Sequence, residues 1–128
     1  MIVDSHLHIW SEDTEQYPRT ETPYPGSVKL LLDYMGESGV DRAVIVLPVH
    51  YRYDNRILAD TLKIHDGKFA GVGVIDPQGP SAADTLSRLV EEEGIRGIRI
   101  RGTIEPESFC KPETEPLWQR AAELSAII

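Results

Sequence analysis

Cysteine is nearly absent. The chain carries one, Cys110, so no internal disulfide can form and no cysteine pair offers a zinc-cluster spacing. A lone thiol suits a reducing compartment, and a cytoplasmic location is expected. Long apolar runs are missing as well. Nothing approaches the roughly 18 consecutive apolar residues of a membrane span, so no membrane partner is expected. The first residues have no basic region ahead of an apolar core and do not read as a secretory signal. A basic stripe is also lacking. Acidic residues outnumber basic ones by 21 to 13, the net charge is −8, and the charges are interspersed. This argues against a nucleic-acid partner and indicates solubility. No segment repeats closely enough to mark a repeat architecture.

What is present is a soluble globular composition, 41% hydrophobic and 27% charged over 128 residues. One domain, residues 1–128, is expected. The chain opens on Ile2-Val3-Asp4-Ser5-His6-Leu7-His8, which suits a strand. Ser11 to Pro25 is polar, holds Pro18, Pro23 and Pro25, and reads as a loop. A loop of that length inside a compact domain is more often functional than idle, and Trp10, Tyr17 and Tyr24 are its candidate substrate contacts. Ser27 as N-cap, Val28, Leu31, Leu32 and Met35 at helical spacing, and Gly39 as a stop predict a helix over about 27–38. Arg42 to His50 holds the apolar run Ala43–Leu47, typical of a strand buried on both faces in a parallel sheet.

A second helix is expected from Asp54 to Gly67, and a third strand over Phe69–Ile75. In that strand Gly71 and Gly73 remove bulk from one face. A third helix starts at Ser81 or Asp84 and stops at Gly94. A fourth strand covers Ile95–Arg101, and a fourth helix runs from Glu115 or Pro116 through Leu124. Ala126-Ile127-Ile128 reads as the start of a fifth strand. This βαβαβαβα order predicts a parallel sheet with crossover helices, as an open sheet or a barrel. An open nucleotide-binding sheet would want a glycine-rich first turn; the first turn here carries histidines, which favours the barrel.

The chemistry gathers at the expected carboxyl ends of the strands, where parallel barrels place their sites. His6 and His8 lie two apart on an extended segment, so their imidazoles can converge on one ion at about 2.0–2.1 Å. Asp4, two residues earlier, is expected on the same face beneath them. His50 ends the second strand as a candidate substrate contact. Asp76, before Pro77, is expected to brace a turn, with a catalytic role as the alternative. Arg99 and Arg101 share a face of the fourth strand and offer fork-shaped donors for a carboxylate. His65 falls on a helix and reads as a surface or packing residue.

Asp4-Ser5-His6-Leu7-His8 with Ile9-Trp10, then Asp76-Pro77 and Gly97-Ile98-Arg99 in order, resembles the amidohydrolase superfamily. The similarity is strongest to the branch holding lactone hydrolases and related decarboxylases. That resemblance implies a TIM-type (β/α)8 barrel, of which four βα units and the start of strand five form the amino-terminal half; the chain is thus expected to be truncated. It implies one divalent metal, zinc by expectation, held by His6 and His8 with Asp4 behind them. Binuclear members carry a bridging Lys or Glu where this chain has Ile98-Arg99-Ile100-Arg101. The small-molecule substrate it implies would meet the strand-end candidates Arg99, His50 and Arg101 and the loop's Trp10. The remaining ligands, from strands five, six and eight, and the general base on strand eight would lie beyond residue 128. Some lactonases of the branch use the same histidines without a tightly held metal. The leading expectation is therefore half of a lactone hydrolase. The alternatives are a decarboxylase of the same branch and a non-catalytic half-barrel that self-associates through its open strand edges.

Overall fold

Alternation of short apolar strands with one-faced helices leaves few ways to bury both, and the chain takes the parallel one. In the computed structural model, which describes residues 1–22, 24–100 and 106–128, four parallel strands lie side by side in chain order. They are β1 (Val3–Leu7), β2 (Arg42–Val46), β3 (Phe69–Val74) and β4 (Gly97–Arg99). Four helices follow them: α1 (Val28–Ser38), α2 (Arg56–Ile64), α3 (Ala82–Glu91) and α4 (Glu115–Glu123). The order is that of the amino-terminal half of a (β/α)8 barrel. Ile127 bridges to Gly97 in parallel, its N–H donating to Arg96 O and its carbonyl accepting from Ile98 N–H. The tail therefore begins a fifth strand, as its composition predicts.

Local chemistry sets the element ends. The Ser27 hydroxyl accepts from Leu30 N–H, and Gly39, at φ 69°, closes α1 with its N–H on Met35 O. β2 stops at Val46, short of the expected His50, because Pro48 has no N–H to continue a ladder. A 3-10 turn over Val49–Tyr51 follows and carries His50. α2 starts two residues later than expected. Asp54 instead accepts from Arg56 N–H and pairs with its guanidinium, which holds the Asp54 carboxyl below the usual range. β4 is shorter than expected, since Ile95 N–H is tied back to Leu89 O at the end of α3.

The core lies between the sheet and its helices. Ile45, Leu47, Leu58, Leu86, Leu89, Ile95, Ile98 and Leu117 are buried there. Each contributes about 1.5–3 kcal/mol of transfer free energy. Gly71 and Gly73 face this side. A Cβ on Gly71 would lie 2.7 Å from a Leu62 methyl, and one on Gly73 would lie 2.5 Å from Asn55 Oδ1. The bulk they omit makes room for α2 and its lead-in.

Candidate active site

β1 delivers the two histidines through a break in regular pairing. Asp4 is in register with Ala43 and Leu7 with Ile45, so three residue steps on β1 match two on β2. Such an irregularity re-aims side chains. Beyond it Leu7 and Ile9 pack toward the core, and His6 and His8 project from the opposite face of the sheet. Strict alternation thus does not carry from Asp4 to the histidines. The Asp4 carboxylate accepts the main-chain N–H of His6 at 3.1 Å and makes no hydrogen bond to either imidazole.

The His6 and His8 rings stand edge to face, with centroids 5.2 Å apart. His8 Nδ1 lies 2.7 Å from the carbonyl of Val46. A carbonyl only accepts, so Nδ1 carries the proton and Nε2 keeps its lone pair. Metal-bound histidines are commonly fixed in this way by a hydrogen bond on the other nitrogen. The donor chemistry therefore suits a divalent ion, but two imidazoles are half of a four-ligand set. Among the described residues no group of three or more His, Cys, Asp or Glu side chains gathers to hold a metal.

The other candidates are distributed around this pair. His50 lies on the turn after β2; its Nδ1 is 3.0 Å from Thr20 Oγ1, and its ring meets Trp10 at 6.1 Å between centroids. Trp10 is half-buried, with its indole N–H on Tyr24 O. Asp76 stays exposed beyond β3 and accepts from Gln78 N–H, bracing its turn. Arg99 ends β4 in register with Val74, on the face away from buried Ile98, and is half-buried. It therefore shares the histidines' side of the sheet, three strand spacings from β1, roughly 14 Å along the sheet. Arg101 lies outside the described residues. The His65 ring meets Phe69 edge to face at the amino end of β3, opposite to the end where the site candidates lie. A cavity of about 670 Å³ bounded by Lys63, Gly67, Phe69 and Arg96 also lies at that amino end and contains no histidine. A smaller one, about 340 Å³, is lined by Tyr53, Val74, Asp76, Ser81 and Thr85 at the carboxyl end of β3.

Sequence reasoning missed the residues that hold these in place. Asn55 is buried, and its side-chain amide donates to Val74 O and accepts from Val74 N–H, both at 2.8 Å. Only the glycine at 73 leaves room for it. The Ser11–Pro25 loop is fastened to the turn and to α2. Ser11 N–H donates to the Tyr51 hydroxyl, and Thr20 N–H to His50 O. Tyr17 donates to Asp60, which pushes its phenol up to about 12.

Comparison with known proteins gives three kinds of match. A family model described as Amidohydrolase matches residues 3–128. Two characterised relatives follow. The 2-pyrone-4,6-dicarboxylate hydrolase of Comamonas testosteroni is 29% identical over 102 residues, covering 77% of this chain and 32% of that protein. The 4-sulfomuconolactone hydrolase of Hydrogenophaga intermedia is 30% identical over 107 residues, covering 76% of this chain and 32% of its own. Among solved structures, one from Acinetobacter baumannii is assigned as a 2-pyrone-4,6-dicarboxylic acid hydrolase and has citric acid bound. It superposes with a TM-score of 0.80 at 18% identity, over 98% of this chain and 47% of its own. The 5-carboxyvanillate decarboxylase of Novosphingobium aromaticivorans, with manganese bound, gives 0.72 at 16%, over 98% and 49%. The structural matches establish a shared fold. The chain spans about a third of the characterised relatives and about half of the solved ones.

Proposed function

Since the chain belongs to the Amidohydrolase family, we propose that it supplies the amino-terminal half of a hydrolase site acting on a lactone or similar cyclic carbonyl compound. The observation that carries this reading is the His6–His8 pair, with His8 Nδ1 committed to Val46 O and its Nε2 lone pair available. Both characterised relatives are hydrolases, and one is named for a lactone. His6 and His8 would hold a divalent ion, with zinc or manganese the candidates. Such an ion supplies a Lewis acid for the carbonyl and a water of lowered pKa. Arg99, half-buried with no ion pair among the described residues, would receive a carboxylate of the substrate. His50 and Trp10 would line the same mouth, with Arg101 as a further cation. Asp4 would act on the pair through the backbone of His6. The other metal ligands and the general base would come from later strands. A cytoplasmic setting accords with the single, exposed thiol of Cys110, and no helix among the described residues is long and apolar enough to cross a membrane.

As a 128-residue polypeptide the chain would associate with a second copy, because both sheet edges expose aliphatic residues. Ile2 and Val3 are 57% and 47% exposed on one side, and Ile127 and Ile128 are 67% and 58% exposed on the other.

The test has two parts. Titration with zinc or manganese should give modest affinity that vanishes in the His6→Ala, His8→Ala double variant; unchanged binding there removes the site. The 128 residues alone should hydrolyse 2-pyrone-4,6-dicarboxylate little or not at all. If the coding sequence continues beyond codon 128, the longer product should hydrolyse it, and His8→Ala should abolish turnover. Release of carbon dioxide from a hydroxybenzoate with no ring opening would replace the hydrolase reading by the decarboxylase one.

A further inference from the structure

Two histidines at neighbouring strand ends are held through the same ring nitrogen by chemically different partners. His8 Nδ1 faces the Val46 carbonyl, which can only accept. His50 Nδ1 faces the Thr20 hydroxyl at 3.0 Å, which can also donate. Thr20 has its main chain already committed: its N–H donates to His50 O, and its carbonyl accepts from Arg19 Nη1. Its side chain has one partner among the described residues, the imidazole of His50. An unprotonated imidazole nitrogen is a much stronger base than an alcohol oxygen. O–H to N is therefore the better bond, and it leaves the proton of neutral His50 on Nε2.

We propose that Thr20 is a positioning residue that holds His50 as its Nε2–H form, so that His50 meets a ligand as a hydrogen-bond donor. The mouth then carries opposite functions on two adjacent strand ends: a lone pair at His8 Nε2 and a proton at His50 Nε2. The ligand this suits has an oxygen acceptor, a carbonyl or carboxylate, beside the atom that His8 addresses. The ligand half of the proposal rests on the function proposed above; the tautomer does not.

Long-range proton–nitrogen correlation spectra of the 14.3 kDa chain at about pH 8, where imidazole is neutral, read the tautomer without substrate. His50 resonances are assigned by their loss in His50→Gln. The wild type should give an acceptor-type Nδ1 and a protonated Nε2. Thr20→Val keeps the volume and the main-chain bond but removes the hydroxyl. It should give averaged nitrogen shifts, and Thr20→Ser should restore the wild-type pattern. A wild-type Nδ1–H form, or a Thr20→Val spectrum like wild type, overturns the proposal. Adding glutarate, a dicarboxylate with no ring to open, should shift the Nε2 resonance; no shift removes the ligand half and leaves the hydrolase reading to its own assay.

Discussion

Val74 ends β3 with its main-chain N–H and C=O both bonded to the side chain of Asn55, which takes the place of a neighbouring strand. Removing that amide leaves two buried backbone groups without partners, each costing about 1–3 kcal/mol. Asn55→Ala should therefore lower stability by about 2–6 kcal/mol, read from the urea midpoint with an unchanged slope. Gly73→Ala, whose Cβ would press on Asn55 Oδ1, should lose a comparable share. A midpoint within error of wild type in both variants would show the clamp to be dispensable. Residue chemistry was partly legible in the sequence. His6, His8 and Arg99 stand out because charge or imidazole at a strand end is unusual. Asn55 does not stand out, since an Asn before a helix has many uses. Its only trace was the bulk missing at Gly73. The relation of Asp4 to the histidines was not legible, because a period-2 argument has no way to register the irregular pairing between Asp4 and Leu7.

At the scale of elements the alternation was readable almost throughout, since each helix has one apolar side and β2 and β3 each hold a short apolar run. Ends were less so. Pro48 and the Ile95–Leu89 bond cut β2 and β4 short for local reasons. The least legible element was the Ser11–Pro25 loop, which has no period and is fixed by side-chain bonds to distant residues. Its Tyr17–Asp60 bond makes a pH prediction. The hydrogen bond to the Asp60 carboxylate, then burial, raises the Tyr17 phenol to about 12 from 10.0. The neutral phenol is the form the fold favours. Its contribution is complete below pH 10 and is lost as pH rises through 12. Absorbance titration of the five tyrosines should show a late ionisation near pH 12 that Tyr17→Phe deletes and Asp60→Asn moves to lower pH. Tyr51, raised by burial, should remain late in both variants. Loss of no late ionisation in Tyr17→Phe would sink the assignment.

For the whole molecule, the barrel half could be anticipated from four βα units in order, and the Ile127–Gly97 bridge places the next strand where such a barrel needs it. What covers the histidine-bearing face lies outside any pattern in the chain, because a half-barrel and a complete one share the same periodicities. Leaving a Val or Ile exposed forgoes roughly 1.5–3 kcal/mol against a net stability of about 5–15 kcal/mol. Sedimentation of the 128-residue chain at micromolar concentration should therefore give dimers or larger species. Val3→Lys, which charges the β1 edge, should shift them toward monomer. A cooperative monomer of wild type would refute self-association.

The order β1-β2-β3-β4 also has a consequence in time. Each strand pairs with the one synthesised just before it, so no strand waits for a distant partner, and the entropy of closing long loops is paid in small steps. Synthesis proceeds at roughly 5–20 residues per second, so each strand leaves the ribosome after the strand it pairs with. The sheet grows at one margin, where Ile127 begins the next row. Of these four strands β1 leaves the ribosome first, and with it His6 and His8. An unpaired β1 edge in that interval is a template for unwanted pairing.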